Sequence, residues 1–349
     1  MKPVRIGDWV LEPGGRCLVA AEIGINHNGD LDLARAMIDA AADAGTHAVK
    51  FQNYRTDDFV SDRSLMYEYV SQGRTVRESQ YEMFRRYEMP REWLPILAEH
   101  CRLRRVMFFS TPTSPEGVAD LVRVGAPMLK NGSDFLGHLR LVRSMAESGL
   151  PTILSTGMAT LAEIDEAVRT FRGAGGRELV LLHCTSSYPT PSDDVHLRKI
   201  SSLAAAFGCP VGLSDHTEGV VAAIGAVALG ACMIEKHFTL DKSLPGPDHR
   251  FSCDPAEMKA LVEAVGQVRR CLGEAAIGWA AGEERSRRQF RLSCAASRRL
   301  DQGHRLEDRD IVFRRPGDGL PPTAAEWLVG QSLRCAMAAG EMFQAEHFG

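Results

Sequence analysis

The chain has 349 residues, of which 44% are hydrophobic and 25% charged, with a formal net charge of −4. This is the balance of a soluble globular protein, long enough for a barrel domain of about 250 residues and a smaller module. The acidic charge argues against nucleic acid as the main partner, and nine scattered cysteines without a CxxC pair argue against a zinc ribbon or a disulfide framework.

Reduced thiols place the chain in the cytoplasm. Met1 to Pro13 is polar and lacks the apolar centre of a signal peptide. Apolar runs of strand length then alternate with segments of helical spacing. The strands are expected at Leu18–Gly24, His47–Gln52, Val106–Thr111, Met128–Ser133, Thr152–Gly157, Leu179–Thr185, Val211–His216 and Met233–Thr239. Leu33, Met37, Ile38 and Ala41 give the first helix its apolar face. Gly29-Asp30 precedes that helix, Thr160 with Glu163 forms a capping-box pattern, and Thr217-Glu218 is read as the opening of the helix after the seventh strand. The uncharged run Gly219 to Ile234 is too short for a bilayer, which takes about 20 residues, and reads as a barrel helix leading into a strand. Eight strand–helix units predict an α/β fold, a (β/α)8 TIM barrel, over 1–280. The structural rival, an open doubly wound sheet, lacks a GxGxxG after the first strand. A long Tyr- and Arg-rich insertion, Asn53 to about Glu88, is either a cover for the site or a plain surface excursion. Residues 281–290 read as a charged linker, and 291–349 as a small β-rich module with turns at Asp301-Gln302-Gly303 and Pro316-Gly317-Asp318-Gly319.

Function in a barrel collects at the C-terminal ends of the strands, and here all eight ends are polar. Glu22 with Asn26-His27-Asn28 ends the first. Lys50 and Gln52 end the second, and Ser110-Thr111 the third. Lys130 and Ser133 end the fourth, Ser155-Thr156 the fifth. The sixth carries His183, Thr185, Ser186 and Tyr188, the seventh Ser214 and His216, the eighth Glu235 and His237. Lys50 and Lys130 with the hydroxyls of Thr111, Ser133, Ser155 and Ser214 suit a phosphate or carboxylate ligand. The alternative is that each lysine pairs with a barrel carboxylate such as Glu22 or Glu235. His216 and His237 end consecutive strands, close enough to share a divalent metal, with Asp248 as a nearby carboxylate; core histidines are the alternative. Cys184 reads as a buried structural cysteine.

Three segments, Ala21-Glu22-Ile23-Gly24-Ile25-Asn26-His27-Asn28-Gly29-Asp30, Leu213-Ser214-Asp215-His216-Thr217 and Ile234-Glu235-Lys236-His237-Phe238-Thr239 with Gly246-Pro247-Asp248-His249, resemble the N-acetylneuraminate (sialic acid) synthase family. So do Ala48-Val49-Lys50-Phe51-Gln52, Ser110-Thr111-Pro112 and Ser155-Thr156-Gly157-Met158. That family includes legionaminate and pseudaminate synthases and spore-coat polysaccharide relatives. Arg314-Arg315-Pro316-Gly317-Asp318-Gly319-Leu320 resembles its C-terminal antifreeze-like (SAF) domain.

The resemblance implies condensation of phosphoenolpyruvate with an N-acetylmannosamine-like aldehyde. The products are a nine-carbon 2-keto acid and phosphate, formed by C–O cleavage. It implies that Lys50, Thr111, Lys130, Ser133, Ser155 and Ser214 hold phosphoenolpyruvate. His216 and His237 would bind a divalent metal, manganese before magnesium or cobalt. Glu22 would lie near the metal and the reacting water, Asp248 near the sugar hydroxyls, and Ser186 and Tyr188 beside the substrates. Arg315 would reach the sugar in the partner's barrel of a domain-swapped homodimer. Two departures bear on the sugar: Phe135 stands where many sialate synthases have glutamate, and Ser186 where some have asparagine. The competing readings are a different phosphoenolpyruvate–sugar condensation, such as 3-deoxy-octulosonate phosphate synthesis, whose enzymes lack the Arg-Pro-Gly tail, and a non-catalytic sugar- or ice-binding protein.

Overall fold

A computed structural model describes residues 2–348. Its centre is an eight-stranded parallel sheet: β1 Leu18–Gly24, β2 Ala48–Asn53, β3 Met107–Pro112, β4 Leu129–Asn131, β5 Thr152–Ser155, β6 Leu179–Cys184, β7 Val211–Asp215 and β8 Met233–His237. The hydrogen-bonded order is β3-β2-β1-β8-β7-β6-β5-β4, and β3 and β4 lie against each other, so the sheet comes round on itself as a TIM-like barrel. Eight helices surround it: α1 Leu31–Asp43, α2 Trp93–Arg104, α3 Pro115–Arg123, α4 Leu139–Glu147, α5 Leu161–Gly173, α6 Lys199–Phe207, α7 Val221–Ala228 and α8 Pro255–Leu272.

Local chemistry starts the helices where they start. The Asp30 side chain accepts from the N–H groups of Asp32 and Leu33 at the head of α1. Thr160 with Glu163 and Asp254 with Glu257 form reciprocal capping boxes for α5 and α8. Ala34, Met37, Ile38 and Ala41 are buried on the inner face of α1, in the layer between helices and sheet that also takes the outward strand residues Val19, Ala21 and Val49.

Strand periodicity sorts the other face. Leu18, Ala20, Ala48, Phe109, Met128, Ile153, Val180, Leu182 and Met233 form one apolar cluster inside the barrel. Val4, Ile6 and Leu11 join that cluster. They come from an N-terminal hairpin, Val4–Ile6 paired antiparallel with Trp9–Leu11, which closes the lower end of the barrel. The polar composition of this stretch hides that apolar face.

Most strand ends shift by a residue or two from the sequence expectation, and two differences bear on the site. The fourth strand stops at Asn131; Ser133–Phe135 is a 3-10 turn in which Phe135 N–H donates to the Gly132 carbonyl at 3.1 Å. The helix after β7 begins at Val221, four residues past Thr217. Asp215 holds the Thr217 N–H at 2.9 Å, and the buried Lys236 ammonium binds the Thr217 carbonyl at 2.5 Å and Asp215 at 2.9 Å. That network fixes the backbone as a turn.

The insertion after β2 is folded. A hairpin, Met66–Ser71 with Arg74–Ser79, stands between short helices Thr56–Phe59 and Gln80–Tyr87. Its two-residue turn, Gln72-Gly73, has φ of 51° and 72°, the left-handed pair that suits a tight hairpin. Gln72 Nε2 donates to the Ser243 carbonyl and Gly246 N–H to Ser71 Oγ, both at 3.0 Å, which ties the hairpin to the loop bearing Asp248.

The chain divides into two compact units, Met1–Gly273 and Glu274–Gly349; the sequence reading placed the boundary at 280. In the second unit Cys294, Leu300, Leu306, Leu328, Leu333, Met337 and Phe343 form a core around one antiparallel pair, Ser293–Ala296 with Ile311–Arg314. Arg315 is exposed there, its guanidinium 5.3 Å from the Phe290 ring centre. Fully buried Asp310 accepts from Arg298 at 2.7 Å, from Glu307 N–H at 3.0 Å and pairs with His304 at 2.8 Å. Burial alone would raise its pKa, but the bonds to His304, Glu307 and Arg298 outweigh it and hold the carboxyl below the usual range. Asp310→Ala is expected to destabilise this unit by about 2–3 kcal/mol at neutral pH, read by denaturant unfolding. A depressed carboxyl stabilises above its unfolded value of about 3.9, and that stability is lost as pH falls through the folded value. The variant and parent should therefore converge in strong acid and differ fully at pH 7. Among the described residues no helix is long and apolar enough to cross a membrane.

Candidate active site

One step above the apolar layer, the alternation of each strand turns a polar side chain inward. Glu22, Lys50, Thr111, Lys130, Ser155, Cys184, Ser214 and Glu235 come one from each strand and all line a cavity of about 400 Å³. The register sets them side by side: Glu22 lies opposite Lys50, Cys184 opposite Ser214, and Ser214 opposite Glu235. A larger groove of about 710 Å³ lies among α2 and α3 residues and contains no residue of this ring.

The ring is a charge network. Lys50 Nζ is 2.8 Å from Glu22, 3.1 Å from Thr111 Oγ1 and 3.9 Å from Glu235. Lys130 Nζ is 3.6 Å from Glu235, whose same oxygen accepts from Ser214 at 3.0 Å. Gln52 donates to Glu22 at 3.0 Å. The lysines thus do pair with barrel carboxylates, as the alternative reading held. The pairing does not saturate the site: Glu22 Oε2, Glu235 Oε2 and Ser155 Oγ are buried without a hydrogen-bond partner in the protein. Buried polar atoms in native proteins are ordinarily satisfied, so this set marks a place where a polar ligand belongs.

The electrostatics are uneven. Burial raises the Glu22 carboxyl despite Lys50, and burial lowers Lys130. Burial disfavours a charged Lys50 too, but Glu22 and Glu235 outweigh it and raise its pKa. Glu235 would be raised by burial, yet Lys130 and Lys50 hold it ionised, below its ordinary value.

Above the ring, the His216 and His237 ring centres are 5.3 Å apart, with Tyr188 4.2 Å from His216 and Phe251 5.2 Å from His237. His216 Nδ1 lies 2.9 Å from the Thr185 carbonyl, which makes Nδ1 the protonated nitrogen and leaves Nε2 its lone pair. His237 Nδ1 is buried without a partner and 3.7 Å from Asp248 Oδ2. Burial keeps His237 neutral, well below its usual pKa, and burial lifts the Asp248 carboxyl to about 7. Burial works against a charged His216 too, but the Cys184 thiol and the Thr185 carbonyl outweigh it and raise its pKa. Once deprotonated, the two imidazoles and the Asp248 carboxyl suit a divalent ion that takes its remaining ligands from water or substrate oxygen. Among the described residues no three His, Cys, Asp or Glu side chains already stand in a metal-holding arrangement, so the protein offers a two-nitrogen set.

The structure brings Ser133, Ser186, Tyr188 and Asp248 to the same cavity as the ring and the two histidines. Ser133 Oγ accepts from Gly157 N–H at 3.0 Å. Arg315 belongs to the second unit. Cys184 is buried, as its residue type suggests, and it lies in the cavity wall, its Sγ 3.9 Å from His216 Nδ1 and 4.0 Å from Ser186 Oγ. Burial would raise the thiol, but His216, Ser133 and Lys130 bring it to about 7. The strand alternation Leu182, Cys184 carried that signal. Phe59, Tyr67, Met83 and Phe84, all from the insertion, also line the cavity; no sequence pattern had gathered them.

Comparison with known proteins agrees with this arrangement. The model of the NeuB family matches residues 37–276 and that of the SAF domain residues 293–349. The N,N'-diacetyllegionaminic acid synthase of Legionella pneumophila is 38% identical over 95% of this chain and 94% of its own. The crystal structure of the N-acetylneuraminic acid (sialic acid) synthetase of Leptospira borgpetersenii superposes with a TM-score of 0.74 at 32% identity, over 82% of this chain and 95% of that one. The spore coat polysaccharide biosynthesis protein SpsE of Bacillus subtilis superposes with a TM-score of 0.67 at 31% identity, over 100% and 99%. The NeuB model covers more than half of the chain and the relatives are more than 30% identical over most of it, so the chain belongs to the NeuB family.

Proposed function

We propose that the chain condenses phosphoenolpyruvate with an amino-sugar aldehyde of the N-acetylmannosamine type, giving a nine-carbon 2-keto acid and inorganic phosphate. The observation that carries this is the ring of eight inward side chains with unsatisfied buried oxygens and two lysines at one level of the barrel. Lys50, Lys130, Thr111, Ser133, Ser155 and Ser214 bind the phosphate and carboxylate of phosphoenolpyruvate by charge and hydrogen bonds. The anion replaces the carboxylates as partner of the lysines and pairs with the stranded Ser155 hydroxyl.

The new C–C bond joins the methylene carbon of phosphoenolpyruvate to the aldehyde carbon. Water adds at the enol carbon, and the C–O bond to phosphate breaks. Lys50 and Lys130 stabilise the developing charge from fixed positions in a site of low dielectric. Glu22, raised by burial and with one oxygen unpartnered, orients the water and takes its proton. His216 and His237 would hold a divalent ion, Mn2+ before Mg2+ or Co2+, that polarises the aldehyde oxygen. Asp248 and Tyr188 lie beside those histidines, where they meet the sugar hydroxyls, and Ser186 contacts the substrates from the wall. A homodimer in which Arg315 serves the sugar, and a cytoplasmic site of action, complete the proposal. The NeuB-family relatives of this chain, synthases of sugar acids by name, support it.

The test is phosphate release from phosphoenolpyruvate with N-acetylmannosamine and its diacetamido-trideoxy analogues, with manganese and with chelator. Release that needs both a sugar and the ion is expected. A folded, metal-loaded protein that releases none with any of these sugars would overturn the reading. Loss of release in Arg315→Ala, with the oligomeric state measured by light scattering, checks the dimer.

A further inference from the structure

A further buried ion pair lies on the outer side of the barrel wall. β7 and β8 run in register, with Ser214 opposite Glu235 and Asp215 opposite Lys236. Alternation turns the first pair into the cavity, where Ser214 donates to Glu235 at 3.0 Å, and the second outward, toward the helices. Two residues earlier on that outer face stand Leu213 and Ile234, both in the apolar layer. The side chains of Asp215 and Lys236 are each 1% exposed, so the pair is shut away from water.

Stability does not account for the pair. Desolvation of two buried charges largely offsets their attraction, and an apolar pair of similar volume is commonly as stable or more so. What the charges add is direction. Lys236 Nζ binds Asp215 Oδ2 across the two strands at 2.9 Å, the Thr217 carbonyl at 2.5 Å and the Thr217 hydroxyl at 3.4 Å. Asp215 Oδ1 accepts from the Thr217 N–H at 2.9 Å. His216 is the residue between Asp215 and Thr217, and its own carbonyl accepts from Thr190 N–H at 2.9 Å. His237 follows Lys236 directly, and its carbonyl accepts from Cys253 N–H at 2.8 Å. The residues on both sides of His216 and the residue before His237 are thus tied together through one ammonium.

We propose that Lys236 and Asp215 are positioning residues: from behind the barrel wall their ion pair clamps β7 to β8 and holds His216 and His237 at the spacing that a shared divalent ion requires. This rests on the reading that those two histidines hold the ion. Outer partners that orient metal ligands are worth about 10–100-fold in metal affinity.

The probe is Mn2+ alone, titrated into the full chain by calorimetry. A thermal melt and the Kd for phosphoenolpyruvate in chelator are measured beside it. Lys236→Met is expected to raise the Mn2+ Kd by about 10–100-fold and to leave the phosphoenolpyruvate Kd, set by the ring on the inner face, unchanged. That variant strands the Asp215 carboxylate and melts earlier. The double variant Asp215→Leu with Lys236→Met removes both charges; it is expected to regain the melting temperature and to keep the weakened Mn2+ site. It also covers the case in which Lys236→Met does not fold. If the pair served stability alone, Mn2+ affinity would return with the melting temperature. That return, or a Mn2+ Kd equal to the parent's in Lys236→Met, overturns the clamp and leaves the metal reading standing. A rise of both Kd values together overturns it as well. A parent protein that binds no Mn2+ removes the metal reading, and the clamp with it.

Discussion

Lys130→Met is expected to lower kcat/KM for phosphoenolpyruvate by about 10²–10³-fold while leaving a folded protein. Lys130 is buried in the ring above the apolar layer, and among the described residues the carboxylate within ion-pair distance of it is Glu235, at 3.6 Å. Burial already works against its charge, so the ammonium is held there at a cost that an incoming anion offsets. Removing it does not strand Glu235, which keeps Ser214 at 3.0 Å and Lys50 at 3.9 Å. The loss therefore falls on the anion and its transition state. Steady-state kinetics with phosphoenolpyruvate varied, beside a thermal melt, reads both halves. A large fall in melting temperature with unchanged kcat/KM in the surviving fraction would show Lys130 to be structural instead.

Lys50→Met should behave differently, costing about 3–5 kcal/mol of stability as well as activity. Lys50 faces Glu22 at 2.8 Å, Glu235 at 3.9 Å and Thr111 at 3.1 Å. Without it, Glu22 is a buried carboxylate whose remaining donor is Gln52. Burial already raises Glu22, and the variant would hold it protonated. A raised carboxyl opposes folding as pH climbs through its unfolded value of about 4.3, so the deficit of Lys50→Met should grow between acid and neutral pH. Denaturant unfolding at pH 5 and pH 8 checks this; a pH-independent deficit would contradict it. The double variant Lys50→Met with Glu22→Gln should recover part of the loss, since removing both partners avoids the stranded charge.

The barrel could be read from the sequence because its interior is written with period two. Ala20 then Glu22, Ala48 then Lys50, Ile153 then Ser155, and Met233 then Glu235 each step from the apolar layer to the polar one, and a run of residues shows that step without any tertiary information. The site histidines were legible for the same reason, His216 two residues past Ser214 and His237 two past Glu235, at the ends of adjacent strands. Three things were not. Ser133 was named for the site and lines it, but its backbone was not foreseen: Gly132 and a 3-10 turn take it out of the sheet. Cys184 was judged by its residue type, and its neighbours His216 and Ser186 lie on other strands or past the strand end. The aromatic side of the cavity is a product of folding: Phe59 and Phe135 are far apart in the chain and meet at 5.9 Å only because the insertion and the turn after β4 arrive at the same rim. No local period encodes such a meeting.

The N-terminal hairpin carries a kinetic consequence. By packing Val4, Ile6 and Leu11 into the base of the barrel, it fills the lower end with side chains, so the proposed substrates would enter and leave by the upper mouth. On the proposed reaction, whatever occupies the lysine ring would pass the level where a sugar sits, so the anion would load first and the sugar second. Departure would run in the opposite sense, with the nine-carbon acid clearing the mouth before phosphate. Phosphate should then compete with phosphoenolpyruvate but not with the sugar in product-inhibition experiments, a signature that a barrel open at both ends would not produce.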